Sequence, residues 1–555
     1  MTEKDCKHSL DEKRPPSHND ESHHSNASTT VPETTPSSNL ISTLKKLTLF
    51  LGILLSMFMV SLNTTVVAPA MSIIATELND LSSQTWIATA YLVAFNASQP
   101  LSGKFSDIFG RKSVLLFGIL LFFIGSLVNA LSYSMGVLIP GRTVQGFGGG
   151  CVMSLAFILI TDLAPLHLRP RFQSLLTVVY GLASVVGPLI GGAFVDKVDW
   201  HWDFWLNVIL SAISWIIIFF LLKEPTDSLN SSFLSKIKRI DWLGTIFAIS
   251  FICCLLLGLN WGGSYGWSSA HSVGPFVGAA VSLIALVITE GWIAPEPLLP
   301  AEIMMNPRII VLYLYITCLG VGFIGTLYFG PILFQAVFGA DSTQSGIRLI
   351  PYMVLLITGS IGSSWFMILF PYVKLYIVIG AVSNLLGYGL FYTVNEYSSY
   401  SQQVGFLTFC GFAYGLSQTN VILGVQIQAG KKNMAVATSL NNFFLMLASS
   451  VGVAVYQALF QIFLGNNLKN VDSSILAIAN DHGAIENYLY IRNMPEYAQR
   501  PIIHAYYQAL HTVFIIPIVT GGIGVICALC IKNTRFGGPK PPKEQSKDQI
   551  EESIP

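Results

Sequence analysis

The sequence predicts an all-α polytopic membrane protein of about fourteen spans, and three observations carry that prediction. Apolar residues fill 52% of the 555 positions and charged residues only 11%, against about 25% charged in soluble domains. A water-facing surface would leave much of that apolar material exposed, and lipid removes the difficulty. The apolar residues gather in runs close to the roughly 20 residues a helix needs to cross the hydrocarbon core. Lys and Arg fall mostly in alternate connections between those runs, the asymmetry that orients a polytopic chain.

Residues 1–44 are polar and rich in Ser, Thr, Pro and His, which predicts a disordered cytosolic tail too poor in apolar residues to fold alone. No cleavable signal peptide is visible, and His23 and His24 read as solvated. Spans follow near 47–69, 86–102, 113–131, 137–160, 172–194 and 204–222, a first six-helix bundle over 45–222. A charged cytosolic linker, 223–241, leads to an extra pair near 242–260 and 272–293. Six more runs, near 308–330, 347–369, 374–393, 404–427, 434–464 and 508–531, form a second bundle over 294–531. An outside loop of mixed polarity lies at 465–507, and 532–555 is a cytosolic tail.

With the N-terminus in the cytosol, inside segments hold 24 of the 30 Lys and Arg residues. They include Lys104, Arg111 and Lys112, Arg169 and Arg171, Lys223, Lys236, Lys238 and Arg239, and Lys431 and Lys432. Outside segments hold Lys197, Arg348, Lys469, Arg492 and Arg500, and Arg142 lies within a span. Moving one span would reverse the later part of this pattern, so both termini are expected in the cytosol.

Three motifs stand out. Gly103-Lys-Phe-Ser-Asp107-Ile-Phe-Gly110-Arg111-Lys112 joins spans 2 and 3. Its glycines allow a tight hairpin at the membrane surface, and Asp107 stands one helical turn before Arg111, at ion-pair spacing. Positive-inside anchoring alone would explain the cations but not the acid or the glycine spacing. Span 4 begins Pro140-Gly141-Arg142-Thr-Val-Gln145-Gly146. An arginine at mid-membrane costs about 2.5–3.5 kcal/mol even on the gentler scales, so Arg142 either faces a polar cavity or partner or snorkels to the interface. Span 5 repeats Ala183, Gly187 and Gly191 every four residues beside Pro188, a face on which another helix can pack closely and a point where the helix can bend.

Together these residues resemble the major facilitator superfamily, and specifically its fourteen-span drug/proton antiporter branch in fungi. The likeness continues in Gln84-Thr-Trp86, Tyr91, Gln99-Pro100, Trp261-Gly-Gly263 with Trp267, Glu296-Pro297-Leu-Leu-Pro300, and Gly346 with Pro351, and covers roughly residues 45–530. It implies the major facilitator fold: two six-helix bundles around a cavity that opens alternately to either side, with two extra transmembrane helices. It assigns gating or conformational roles to Gly103, Asp107, Gly110, Arg111, Lys112, Asp162, Gly187, Pro188 and Gly191. It implies that Arg142 takes part in coupling. The equivalent loop of the second half, Phe370-Pro-Tyr-Val-Lys374, keeps one cation of the pattern.

The chain departs from the family where an Asp in span 1 is replaced by Asn63, which can hydrogen-bond but cannot carry a proton. Trp200-His201-Trp202 stands for a Trp-Arg-Trp, and Leu445 for an Arg in span 13. Candidate cavity groups are Asn63, Asn96, Gln99, Arg142, Gln145, Gln335, Gln418, Asn420, Asn441 and Asn442, about half of them lining the cavity and the rest joining helices. No acid is expected deep in a cavity-forming span, because Asp162 ends span 4 and Glu290 lies in the extra pair.

The expected function is secondary transport of a small organic solute, of the multidrug or toxin efflux type. The alternatives are vacuolar transport of basic amino acids and a sensor that binds solute without moving it. Plasma and vacuolar membranes are the candidate locations. Partners are expected to be a small-molecule solute, protons as a candidate coupling ion, and the lipid bilayer, with the chain acting as a monomer. Zero formal net charge gives no pull toward nucleic acid. Cys527 and Cys530 form a CxxC without a His or second pair nearby, so no metal or other cofactor is expected. No cluster of His, Cys or carboxylates at membrane depth suggests an enzyme.

Overall fold

The computed structural model describes residues 36–536 except 68–69, 81–82, 166–167, 223–235, 238, 295–296 and 486–487. His23 and His24, most of the linker with Lys223 and Lys238, Glu296 and the terminal residues 537–555 lie outside the described residues.

The described chain is helical almost throughout. The first half contains α1 (Pro36–Val66), short α2 (Met71–Glu77), α3 (Trp86–Phe109), α4 (Arg111–Ala130), α5 (Met135–Leu163), α6 (Arg169–Lys197) and α7 (Trp202–Leu221). The extra pair is α8 (Trp242–Tyr265) and α9 (Ala270–Ile288), the latter ending in a π-helical turn over Thr289–Ile293. Short α10 (Ala301–Met304) then leads to α11 (Pro307–Ala336), α12 (Ser342–Phe366), α13 (Val373–Tyr392) and α14 (Tyr400–Leu468). The chain ends in α15 (Ser473–Asp481), α16 (Glu496–Val513) and α17 (Ile515–Cys530).

Twelve helical stretches among the described residues are long and apolar enough to cross a membrane. Helix α3 is not one of them, although its 24 residues are long enough. Asn96, Ser98, Gln99 and Ser102 make it polar, and all four are buried by protein, which relieves α3 of meeting lipid. Helix α14 is 69 residues long but breaks at Gly430, where φ is 67° and ψ is 178°. Glycine adopts that backbone without a Cβ penalty. Across the bend, Gln426 Nε2 donates to Thr438 Oγ1 at 3.2 Å, so the two arms turn back on each other. Adding α3 and counting the arms separately gives the fourteen crossings the apolar runs predict.

Two boundaries differ from the sequence reading. Helix α1 begins at Pro36, within the segment read as tail. The last crossing runs from Glu496 to Cys530 as two helices meeting at Phe514, so the stretch read as loop at 465–507 contains α15 and the start of α16.

Packing follows the two halves. One buried cluster comes mainly from α11–α14, α16 and α17, with Ala97 of α3 and Ile252 and Leu256 of α8, and another mainly from α1 and α3–α7, with Ile422 and Ala435 of α14. Helix α3 lies against α14, and α6 against α12. Helix α8 packs on α3 and α14, and α9 lies on α8, presenting Val277, Val281, Ile284 and Val287 outward. This apolar face belongs in lipid.

Candidate functional site

A polar cluster is buried in the first half, where Pro140 and Gly141 start the apolar part of α5 and Arg142 follows. Arg142 is only 2% exposed. Its Nε donates to the Ile87 carbonyl at 2.8 Å, and its Nη1 donates to Gln145 Oε1 at 2.8 Å and Asn63 Oδ1 at 3.2 Å. The guanidinium also lies 4.5 Å from the Tyr91 ring centre, a favourable cation–π placement. Arg142 is therefore held inside the protein and does not snorkel. Gln145 Nε2 donates to Asn63 Oδ1 and Ser126 Oγ, and Asn129 Nδ2 donates to Gln145 Oε1. The cluster thus ties α1, α3, α4 and α5 together.

Asn63 sits in it awkwardly. Its Oδ1 accepts from Arg142, Gln145 and, at 3.3 Å, Asn207 Nδ2, whereas its own Nδ2 is buried without an acceptor. Three donors converging on one oxygen suit a carboxylate better than an amide.

The structure also buries an acid that the sequence reading did not single out. Asp203, in the first turn of α7, is fully buried. Neither carboxylate oxygen has a hydrogen-bond partner, and Arg142 is within electrostatic reach. In the sequence Asp203 follows Trp202 at the edge of an apolar run, where an acid reads as interfacial. Its place one turn before Asn207 was the available signal.

A second set of polar groups is buried between the halves. Gln99 on α3 and Asn441 and Asn442 on α14 have neither amide atom bonded within the protein, and Gln418 Oε1 and Asn96 Oδ1 are also unpaired. Asn96 Nδ2 reaches Ser450 Oγ on α14 at 3.2 Å. Asn420 is occupied by its own helix through Leu416 O. Gln335 bonds Ser345 on neighbouring α12 at 2.8 Å, near the end of α11, so it joins two helices and stands apart from this set.

The halves meet closely at the end bearing the α3–α4 turn. Gln173 Nε2 donates to Gln426 Oε1 at 2.9 Å and to Thr161 Oγ1 at 3.0 Å. Ser364 Oγ donates to the Pro170 carbonyl at 2.9 Å. A Cβ on Gly103 would fall 2.6 Å from Ser439 Oγ and 3.1 Å from Val436 Cα. At the same end Arg111 bridges two acids, with Asp107 Oδ1 at 2.6 Å and Asp162 Oδ2 at 3.2 Å, and Gly110 turns the chain with φ 96°. Asp162 is thereby brought into the signature loop.

Lys112 Nζ donates to the Phe219 carbonyl near the end of α7 at 2.7 Å. In the second half Lys374 Nζ meets Leu529 O, near the end of α17, at 2.6 Å. The single retained cation therefore does for its half what Lys112 does for the first, satisfying carbonyls at a helix C-terminus.

The span 5 motif packs on α1. A Cβ on Gly187 would collide with Thr65 Oγ1, and one on Gly191 with Val66 O, with Pro188 inside the helix between them. Glu290 accepts from the amides of Leu298 and Leu299, each at 3.1 Å, and so caps a turn outside the polar sets. Leu445 is buried where α14 packs on α11, its carbonyl close to Gly320.

The family description "Major Facilitator Superfamily" matches residues 53–453. The chain is 30% identical over 491 residues to an aspyridones efflux protein of Neocamarosporium betae, covering 87% of this chain and 86% of that protein. It is 31% identical over 438 residues to multidrug resistance protein 3 of Bacillus subtilis (strain 168), covering 79% and 84%. In fold it is similar to the human organic anion transporter MFSD10, with a TM-score of 0.54 at 15% identity over 85% of this chain and 99% of that one. The family match, these relatives and the paired helical halves lead to one identification: the chain belongs to the major facilitator superfamily, a transporter rather than an enzyme, in a multi-pass membrane fold.

Proposed function

We propose that the protein moves a small organic solute by alternating access, as a transporter of the multidrug or toxin efflux type with both termini in the cytosol. The observation that carries this reading is the set of buried, unpaired amides of Gln99, Asn441 and Asn442, contributed by helices of both halves that pack on each other. Buried polar atoms without a partner are rare in native structures, and here they offer donors and acceptors to a guest between the halves. Neutral amides suit an organic solute with scattered polar groups. A basic amino acid would want an unshielded acid, and Asp203, the buried acid near the cluster among the described residues, is within electrostatic reach of Arg142. The names of the two relatives, one an efflux protein and one a multidrug resistance protein, point the same way.

The positive-inside asymmetry puts the tightly packed end in the cytosol. Closure there by Gln173, Gln426 and Gly103 would alternate with opening, as Arg111 exchanges partners. The test is flux in proteoliposomes holding the purified full chain, with rhodamine 6G, ethidium, arginine and lysine as probes and a pH gradient imposed or abolished. Accumulation of a dye without amino-acid flux supports the proposal. Arginine or lysine flux alone overturns it in favour of amino-acid transport, and saturable binding without any flux marks a sensor.

A further inference from the structure

The geometry around Arg142 points to a proton site that the sequence hides. We infer that Asp203 is the proton-carrying group of this transporter, exchanging Arg142 with the Asn63–Gln145 amides, an inference that rests on the transport reading above. Three observations meet at this residue. Asp203 is fully buried with neither oxygen bonded, a state that suits the neutral acid and is unfavourable for the carboxylate. Arg142 is within electrostatic reach, and its guanidinium carbon lies 5.8 Å from the ring centre of Phe204, the next residue along α7. Asn63 meanwhile offers Arg142 only an amide oxygen that two other donors share.

Among the described residues the surrounding charges leave Asp203 no other ionic partner. Helix α1 carries none from residue 47 to its end at Val66, and α4 carries Arg111 and Lys112 at its opposite end. Tyr91 of α3 lies beneath Arg142. In the connection before α7, His201 Nδ1 pairs with Asp199 at 2.6 Å, and Trp200 Nε1 occupies Glu77 Oε2 at 2.7 Å. Lys197 ends α6 and is exposed.

The cycle follows from these contacts. With Asp203 protonated, Arg142 stays on Asn63, Gln145 and the Ile87 carbonyl, as observed. When the O–H bond of Asp203 breaks and its proton passes to water, the carboxylate becomes the stronger acceptor and draws Arg142 across. That releases the hydrogen bonds joining α5 to α1, the helix against which Gly187 and Gly191 of α6 pack. Reprotonation from the other side returns Arg142 to the amides, so one proton crosses per cycle.

The test uses the full chain in lipid with two readouts. Infrared difference spectra between acid and alkaline pH should show a carboxylic-acid C=O band that is lost in Asp203→Asn and shifted in Asp203→Glu. A pH gradient of one unit should drive up to about tenfold accumulation of rhodamine 6G for one-to-one exchange. Asp203→Asn should abolish that accumulation, and Asn63→Asp combined with Asp203→Asn should restore gradient-driven uptake. A band unchanged in Asp203→Asn, or accumulation equal to that of the parent protein, overturns the inference. Should Asp203→Asn fail to fold, an unshifted band in Asp203→Glu overturns it equally. Absence of dye flux in the parent protein would refute the transport reading alone, since the infrared band still reports the proton site.

Discussion

At the scale of single residues, Arg142 and Arg111 show how differently two arginines are used. Arg142 is enclosed, and its planar fork reaches Ile87, Gln145 and Asn63 at once. Lysine keeps the charge but not that geometry. Arg142→Lys is therefore expected to lower transport on the order of tenfold, the loss of about one charge-assisted hydrogen bond, while size-exclusion profiles stay those of a folded protein. Arg111 is partly exposed and shared by Asp107 and Asp162. Replacing Asp107 by Asn leaves it Asp162, and an ion pair so placed contributes about 0.2–1 kcal/mol. Turnover should change by no more than about fivefold, with expression and membrane insertion unaltered, because the cations that orient the loop remain. Equal losses of folded protein and of transport would show that Asp107 serves folding and not gating.

At the scale of elements, glycines decide which helices may approach. Gly103 lets α3 meet the second arm of α14, and no side chain fits there without moving Ser439 or Val436. Gly103→Val should wedge that contact and favour the conformer open at this end. In a background free of native cysteines, Ala435→Cys, at a position now 2% exposed, should then label with a water-soluble maleimide several times faster than without the wedge. Unchanged labelling would mean that this contact is not part of the gate. The same scale explains the signature loop and its worn second copy. Lys112 and Lys374 each satisfy carbonyls near the end of a helix in their own half, a task that survives loss of the surrounding glycines and acids. The acids act instead at Arg111, which the second loop lacks.

At the scale of the whole molecule, charge asymmetry and cross-half bonding make one statement. The end where Gln173 meets Gln426 and Ser364 meets Pro170 is the end expected in the cytosol from the Lys and Arg distribution. A fluorescent reporter fused to the C-terminus should accordingly be quenched only by agents inside the cell. External quenching would invert the molecule and exchange the inside and outside assignments of its closed and open ends. Both polar sets lie within or between helices whose outer faces are apolar, as expected where lipid can satisfy no backbone or side-chain group.

The apolar runs by themselves determined the helices and their number. These are local properties, because the bilayer imposes a hydrophobic length on each segment separately. Arg142, Gln145, Gln99 and the Gly103–Arg111 loop were legible for a related reason: a cation or amide inside an apolar run must be accounted for wherever the chain goes. What each polar group meets depended on the tertiary structure. Asn63 and Gln145 are 82 positions apart, and Gln173 and Gln426 are 253 apart, so no spacing rule could pair them. Asp203 was missed because burial at the end of a run is conferred by neighbouring helices and not by the run itself. Gln335 stands apart from the set between the halves, its Nε2 donating to Ser345 on the neighbouring helix. The membrane sets the helices one at a time, but the site exists only where several of them meet.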